Sequence, residues 1–281
     1  MASPTGGAIV PSPSPQPAGP DRASFPALLR DWRRRRRMSQ LELALTAGVS
    51  QRHLSCLESG RAGPSRSMIL QLGEALHVPL RDRNDWLLAA GFAPLYRASP
   101  LDDPQMEQVN AAVQMMLSSH APFPAVAIDR AWNVRLANAP FDRLVTALAP
   151  GVWSRVGGER RNLARLVFHP RGLRPHVANW DMAAPLLWQR ALREAAAAGT
   201  EEMSALLDEL APGLDREVLR VQDAPLLPVL PLTLAKDGLR ISLFTVIATF
   251  GTPLDVTADE LRIESFFPAD AATERFLREA G

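Results

Sequence analysis

The first third of the chain shows the spacing of amphipathic helices. Apolar residues from Phe25 to about Tyr96 recur three and four positions apart, which places them on one face of a helix. No segment in this stretch alternates every second residue as a strand does. Glycine, proline and serine divide the pattern into short pieces. The sequence therefore predicts an all-α domain over residues 23–97.

The pattern changes further along the chain. A helical spacing over Gln105–His120 precedes two short apolar alternations, around Val126 and Val134, which predict strands joined by a turn at residues 129–131. A helical stretch from about Pro140 to Leu219 follows.

Three later runs, PVLPLTLA, LRISLFTVIATF and LRIESFF, are rich in β-branched and aromatic residues. Turn residues separate them at 236–238 and 251–253. The order of helix, two strands, helices and three strands predicts an α+β domain with an antiparallel sheet over residues 105–281. Two prolines and a charge change place a linker at residues 98–104.

The composition is that of a soluble globular protein, with 47% hydrophobic and 22% charged residues among 281. Residues 1–22 hold six prolines and are predicted to be a disordered tail. We expect a cytoplasmic protein that does not enter the membrane, because the chain lacks a secretory signal and a run of about 18 apolar residues. The single cysteine, Cys56, excludes an intramolecular disulfide and argues against a thiolate metal site.

The net charge of +1 conceals an uneven distribution. Residues 1–97 carry 13 basic and 7 acidic side chains, a net of +6, whereas the remainder carries 18 and 23, a net of −5. A basic first third joined to a mildly acidic remainder suggests that the first third meets a polyanion.

Residues 38–66 predict two helices joined by a tight turn. Ser39 and Glu42 form the S-x-x-E capping box of a helix start. Gly48 permits the positive φ that ends this helix, and the hydroxyl of Ser50 is suited to cap the next one. The apolar residues of the first helix keep helical spacing at Leu41, Ala44 and Leu45.

The start of the second helix carries side chains that suit DNA. Arg and Gln each make two hydrogen bonds to a base edge, so Arg52 and Gln51 are the predicted readers of sequence. Gln40 is placed to hold a phosphate, and an arginine run at 33–37 extends the basic surface, although such a run is also typical of a solvated helix face. The complete predicted DNA-binding set is Gln40, Ser50, Gln51, Arg52, Ser55, Arg61, Arg66, Arg35 and Arg37.

The pattern S-Q-x-E-L-A, then G-V-S, then L-x-x-L-E-x-G-R, resembles the phage-repressor-like helix-turn-helix regulators of the xenobiotic-response-element family. The resemblance covers residues 25–91 and implies a five-helix domain that binds double-stranded operator DNA. Ser67–His77 and Asp82–Ala90 fit its fourth and fifth helices. His53 and Cys56 lie three apart on one helix, but two residues do not make a metal site.

The resemblance continues into regulators with an MmyB-like ligand-binding domain. It is carried by WLLAAGFAPLY, AIDRAWNVRLAN, NLARLVFHPRGLRPHVANW, LPLTLAKDGLRISLFTVIATFGTPLDVT and ELRIESFFPAD. The family implies a PAS-like fold and a fatty-acid-like ligand. Candidate pocket residues are the large apolar side chains of these segments and nearby polar groups, although each is also suited to a packed core: Trp132, Asn138, Phe141, Leu163, Phe168, His169, Asn179, Trp180, Phe244 and Phe250.

Other functions have less support in the sequence. The motifs of serine hydrolases, zinc proteases, P-loop enzymes and dinucleotide-binding proteins are missing, so an enzyme is not expected. The alternative is a regulator whose second domain docks a protein or holds heme or flavin. His169 and His176 are expected to make structural hydrogen bonds and not to ligate heme or a metal. A homodimer is expected, because two domains read two half-sites of an operator.

Overall fold

The computed structural model describes residues 23–198, 201–215 and 228–280. The predicted tail at 1–22 and residues 216–219 of the predicted helical stretch lie outside these ranges. Two compact units are present, one up to Val78 and over Asp82–Pro94, the other over Pro79–Arg81 and from Leu95 onward. The second unit includes residues 98–104, the predicted linker. No helix within the described ranges is long and apolar enough to cross a membrane.

Five helices cover residues 25–89, as the resemblance implies. Their bounds are Phe25–Arg35 (α1), Gln40–Thr46 (α2), Gln51–Glu58 (α3), Arg66–Ala75 (α4) and Leu80–Ala89 (α5). The core of the first unit joins Leu29 of α1 to Leu43, Leu54 and Leu72 of the next three helices, all buried. Trp86 closes the core, with its ring edge-on to Phe25 at a centroid distance of 5.7 Å.

The predicted apolar face of α2 is wrong at two positions. Leu41 is 52% exposed and Leu45 is 73% exposed, whereas Leu43, Ala44 and Ala47 are buried. Because successive residues turn by about 100° around a helix, Leu43, Ala44 and Ala47 share one face and Leu41 and Leu45 share another. The α2 segment carries more apolar residues than its buried face needs, so spacing alone did not select the right stripe.

The second unit is built on one five-stranded antiparallel sheet of order β2-β1-β5-β4-β3. This confirms the predicted sheet and all five predicted strands, whose bounds are Ala125–Ile128 (β1), Val134–Ala137 (β2), Leu232–Lys236 (β3), Leu239–Thr249 (β4) and Arg262–Pro268 (β5). In the register of the central strands, Ala125 pairs with Ser265 and Phe244 pairs with Phe267.

Helices surround this sheet. Those before and between the strands are Glu107–Ser119 (α6), Ala139–Leu148 (α7), Val152–Val156 (α8), Leu163–Phe168 (α9), Trp180–Ala198 (α10) and Glu201–Leu210 (α11), and those near the end are Val256–Glu260 (α12) and Ala271–Glu279 (α13). The sequence pattern predicts neither α12 nor α13. Segments of five and nine residues give too few turns for a periodic signal.

Alternation along β1 separates two apolar layers. Val126 and Ile128 belong to the main core, which residues of α7, α9, α10 and α11 complete. Ala125 and Ala127 point to the opposite face, where they pack with Val113 of α6. The two faces of the sheet therefore have different apolar environments.

Candidate DNA-binding surface and ligand-domain core

The turn between α2 and α3 has the predicted local geometry. Ser39 Oγ accepts from the backbone N–H of Glu42 at 3.1 Å, and Glu42 Oε2 accepts from the N–H of Ser39 at 2.6 Å, which completes the capping box. Gly48 has a φ of 63°, and Ser50 Oγ accepts from the N–H of His53 at 3.1 Å. These bonds hold α2 and α3 as a helix-turn-helix pair.

The N-terminal end of α3 is accessible. Gln51 and Arg52 are exposed, whereas Ser55 is half-buried. Leu54 and Leu57 fix the opposite face of the helix in the core. An exposed N-terminal end on a helix anchored in this way is the part of a helix-turn-helix that reaches base edges in the major groove.

A buried carboxylate joins α1, α2 and α3. Glu58 is 4% exposed, and its oxygens accept from Arg33 Nε at 2.6 Å, Arg33 Nη2 at 2.9 Å and Gln40 Nε2 at 2.8 Å. Arg30 donates to the Glu58 carbonyl at 2.7 Å. Burial raises the pKa of Glu58, but the bonds from Arg33 and Gln40 and the charges of Arg33 and Arg30 lower it more, so its pKa lies below the usual value.

This cluster alters the reading of Gln40. The sequence predicts that the Gln40 side chain contacts a DNA phosphate, whereas in the structure its amide group donates a hydrogen bond to Glu58. Sequence reasoning missed both Glu58 and the ion-pair role of Arg33. The available signal was the acidic residue at the buried end of α3, which needs a positive partner.

The arginine run divides into two kinds of side chain. Arg36 caps α4, with Nε donating to the carbonyl of Leu76 at 2.9 Å and Nη2 to that of His77 at 2.8 Å. Arg34 and Arg37 are exposed and pair with no carboxylate of the described residues.

The remaining basic residues of the predicted set lie at or near the ends of helices α1, α3 and α4. Arg35 pairs with Asp31 at 2.7 Å, and Arg61 Nε donates to Ser59 Oγ at 2.9 Å. Arg66 is exposed at the first residue of α4. These side chains add positive charge at accessible positions, as a phosphate-contacting surface requires.

The predicted pocket residues of the second unit divide between the two faces of the sheet. Trp132, Phe141, Leu163 and Phe168 are buried in the main core, and half-buried Trp180 packs against it at 6.2 Å from the Phe168 ring.

The other two aromatic residues of the set lie elsewhere. Phe250 packs with the α6 layer. Phe244 stacks on Phe267 at 5.6 Å, and Phe267 in turn contacts His120 at the end of α6 at 4.6 Å. The structure therefore brings together the four core residues and Trp180, but not Phe244 or Phe250.

The predicted polar contacts already have partners. Asn138 Oδ1 accepts from the N–H groups of Ala125 and Phe141 at 2.9 and 3.0 Å, and Nδ2 donates to the carbonyls of Leu117 and Phe123 at 3.1 and 2.9 Å. These four bonds occupy the donors and acceptors of a side-chain amide.

Two further polar candidates are tied to the backbone. Asn179 holds β3, accepting from Thr233 N–H at 2.9 Å and donating to the Pro231 carbonyl at 2.7 Å. His169 Nδ1 accepts from Arg171 N–H at 3.1 Å. Burial, followed by the charges of Arg171 and Arg165, lowers the pKa of His169.

Sequence reasoning also missed a partly buried ion network around Trp132. The indole N–H donates to Glu194 Oε2 at 2.7 Å, and the Arg190 guanidinium lies 4.9 Å from the ring centroid. Arg190 also bonds Glu264, which is only 2% exposed, and Arg262 bonds Glu194. Apart from the local pair of Arg190 and Glu194, four positions apart on α10, the partners are far apart in sequence, so no local pattern predicts the network.

The charges of this network stabilise one another. Burial raises the pKa of Glu194, but Arg190, Arg262 and the Trp132 N–H lower it more, so the pKa lies below its usual value. Burial lowers the pKa of Arg190, but Glu264 and Glu194 raise it more, so the net shift is upward. The network joins α10 to β5 and to the β1–β2 turn.

Comparison with known families matches both parts of the chain. A model described as a helix-turn-helix domain matches residues 25–86. A model described as the MmyB-like transcription regulator ligand binding domain matches residues 109–280, more than half of the chain. No individually curated protein matches the chain.

Proposed function

The chain belongs to the MmyB-like transcription regulators, and we propose that it binds an operator through α3 and senses a small apolar ligand with its second unit. Membership of this family means that the chain is a DNA-binding regulator with a ligand-binding domain. The fatty-acid-like nature of the ligand, the PAS-like character of the sheet domain, the dimer and the cytoplasmic location are our inferences.

One observation carries the DNA-binding proposal. Gln51 and Arg52 are exposed at the start of α3, directly after a capped turn with Gly48 at positive φ. Residues at this end of the second helix contact base edges when it enters the major groove, and Arg52 is suited to guanine and Gln51 to adenine. Arg34, Arg37, Arg61 and Arg66 supply nearby positive charge for phosphates.

The apolar nature of the ligand is supported by the composition of the second core. Trp132, Phe141, Leu163 and Phe168 belong to one buried apolar cluster of the second unit. Ligand sites in small domains are lined mainly by such side chains. We infer a fatty-acid-like ligand from the resemblance to the family and from the apolar composition of this cluster. The residues that touch it remain a prediction.

A homodimer with a two-fold operator follows from the size of the DNA-binding unit. A single five-helix domain presents one recognition helix and covers one half-site. Two copies related by a two-fold axis read two half-sites about one DNA turn apart, so the operator should be an inverted repeat. We infer a cytoplasmic location, because a regulator with this target acts where the chromosome is.

Selection from random DNA, followed by binding measurements on variants, tests the operator proposal. Arg52→Ala should weaken binding to the selected site by about 1–3 kcal/mol and relax the choice at one base pair. Arg193→Ala, at an exposed position of α10, is the matched control and should change neither. An Arg52→Ala protein with unaltered sequence preference would show that α3 does not read bases as proposed.

A further inference from the structure

The segment that leads into the second unit is held against α12. The N–H of Val256 donates to the carbonyl of Arg97 at 2.7 Å. The N–H of Ser99 donates to both carboxylate oxygens of Asp255, at 3.1 and 3.3 Å, and Ser99 is only 8% exposed. Asp255 also accepts from the N–H of Thr257 at 2.8 Å, which caps α12.

Capping alone does not require the bonds to Ser99. Asp270 caps α13 by accepting from the N–H of Thr273 at 2.7 Å, a bond within its own helix. Asp255 makes the equivalent bond and reaches in addition to a residue 156 positions earlier in the chain. The Asp255 carboxylate therefore binds the segment at residues 97–99 and also caps α12.

The segment at residues 97–99 is connected, through α12 and β5, to the helices of the ligand-domain core. α12 lies directly before β5, and β5 is bound to α10 by the ion pairs of Arg262 with Glu194 and of Glu264 with Arg190. A displacement of α10 therefore acts on β5 and α12, and through Asp255 on the segment at 97–99. Contiguous hydrogen bonds and ion pairs of this kind are the physical carriers of coupling between sites.

We propose that Asp255 is a positioning residue, which holds residues 97–99 on the second unit and so fixes where the chain that comes from the DNA-binding domain enters that unit. This inference rests on the proposed function, because it assigns Asp255 a part in operator binding. In a dimer, a fixed segment reduces the conformational entropy lost when both recognition helices engage their half-sites. Binding to a single half-site does not require two recognition helices to engage together, so the affinity of the protein for a half-site should not depend on Asp255.

Full-length Asp255→Ala and its matched control Asp270→Ala test the proposal. Hydrogen exchange of the amides at 97–99 should accelerate in Asp255→Ala only. Affinity for the selected inverted repeat should fall about tenfold in Asp255→Ala and stay near wild type in the control. Affinity for an isolated half-site should be equal in all three proteins. Both variants lose a helix cap. A change in exchange and in operator affinity that occurs only in Asp255→Ala is therefore assigned to the lost bonds with Ser99.

Asp255→Asn covers the case in which Asp255→Ala fails to fold, because asparagine also caps helices well but cannot present two carboxylate oxygens to Ser99. Unchanged exchange at 97–99, or faster exchange with operator affinity equal to that of the control, would overturn the proposal. A wild-type protein that selects no DNA would instead contradict the proposed function, and the exchange comparison would still decide whether Asp255 holds the segment.

Discussion

Glu58 is a buried carboxylate whose contribution to the stability of the first unit depends on its charge. Its pKa is lowered on folding, so its stabilisation is present above the unfolded pKa and is lost as the pH falls through the folded value. Glu58→Gln should lower the free energy of unfolding by about 2 kcal/mol at neutral pH, because Arg33 loses its ionised partner.

Calorimetry across a pH series measures this effect. The difference between wild type and Glu58→Gln should narrow as the pH falls below the ordinary pKa range of glutamate towards the lowered folded pKa, because the wild-type carboxyl then becomes protonated. Glu279→Gln, at an exposed position of α13, provides the control. A stability difference that is the same at pH 7 and in acid would contradict an ionic role for Glu58.

The arginine run should respond to substitution in two different ways. Neutralising Arg34 and Arg37 together should weaken binding to all DNA sequences and flatten the salt dependence by about one unit per lost phosphate contact, without changing the melting temperature. Arg36→Gln should instead destabilise the first unit by about 1 kcal/mol, because the carbonyls of Leu76 and His77 lose their donor. Salt titrations of DNA binding and calorimetry separate the two effects, and a lowered melting temperature in the Arg34 and Arg37 variant would contradict this division.

At the scale of elements, Asn138 connects the N-terminus of α7 to β1 and to the end of α6. Asn138→Ala should destabilise the second unit by about 3 kcal/mol, because the N–H of Ala125 and the carbonyls of Leu117 and Phe123 lose their partner inside the protein. Calorimetry of the variant tests this. A near-normal melting temperature together with lost ligand binding would show that Asn138 is a ligand contact, as the sequence analysis predicts.

The elements that local chemistry determines could be predicted from the sequence. The capping box at Ser39, the turn at Gly48 and the alternation of β1 depend on residues within a few positions of one another. The sheet face on which Phe244 lies could not be predicted, because it depends on pairing with a strand that begins 18 residues later. The ion pairs of Glu58 with Arg33 and of Glu194 with Arg262 likewise join residues brought together only by the fold.

At the scale of the whole molecule, the first third of the chain and the remainder carry charges and cores suited to different partners. The first 97 residues have a net charge of +6, as a DNA-binding unit requires, and the rest has a net charge of −5. The second unit contributes an apolar aromatic core instead of a basic surface. A ligand alters operator affinity only if it binds the DNA-competent and incompetent arrangements unequally. We propose that α6 and the segment held by Asp255 carry that bias.

We propose that an apolar ligand of the second unit sets operator affinity. To test this, delipidated full-length protein is titrated with a panel of medium- and long-chain fatty acids, and melting temperature and operator affinity are measured in the same samples. We predict that at least one fatty acid raises the melting temperature and changes operator affinity by about 5- to 150-fold, with DNA changing the affinity for that fatty acid by the same factor. Melting temperature and operator affinity that are both indifferent to the whole panel would contradict the claim and favour a protein-docking role for the second unit.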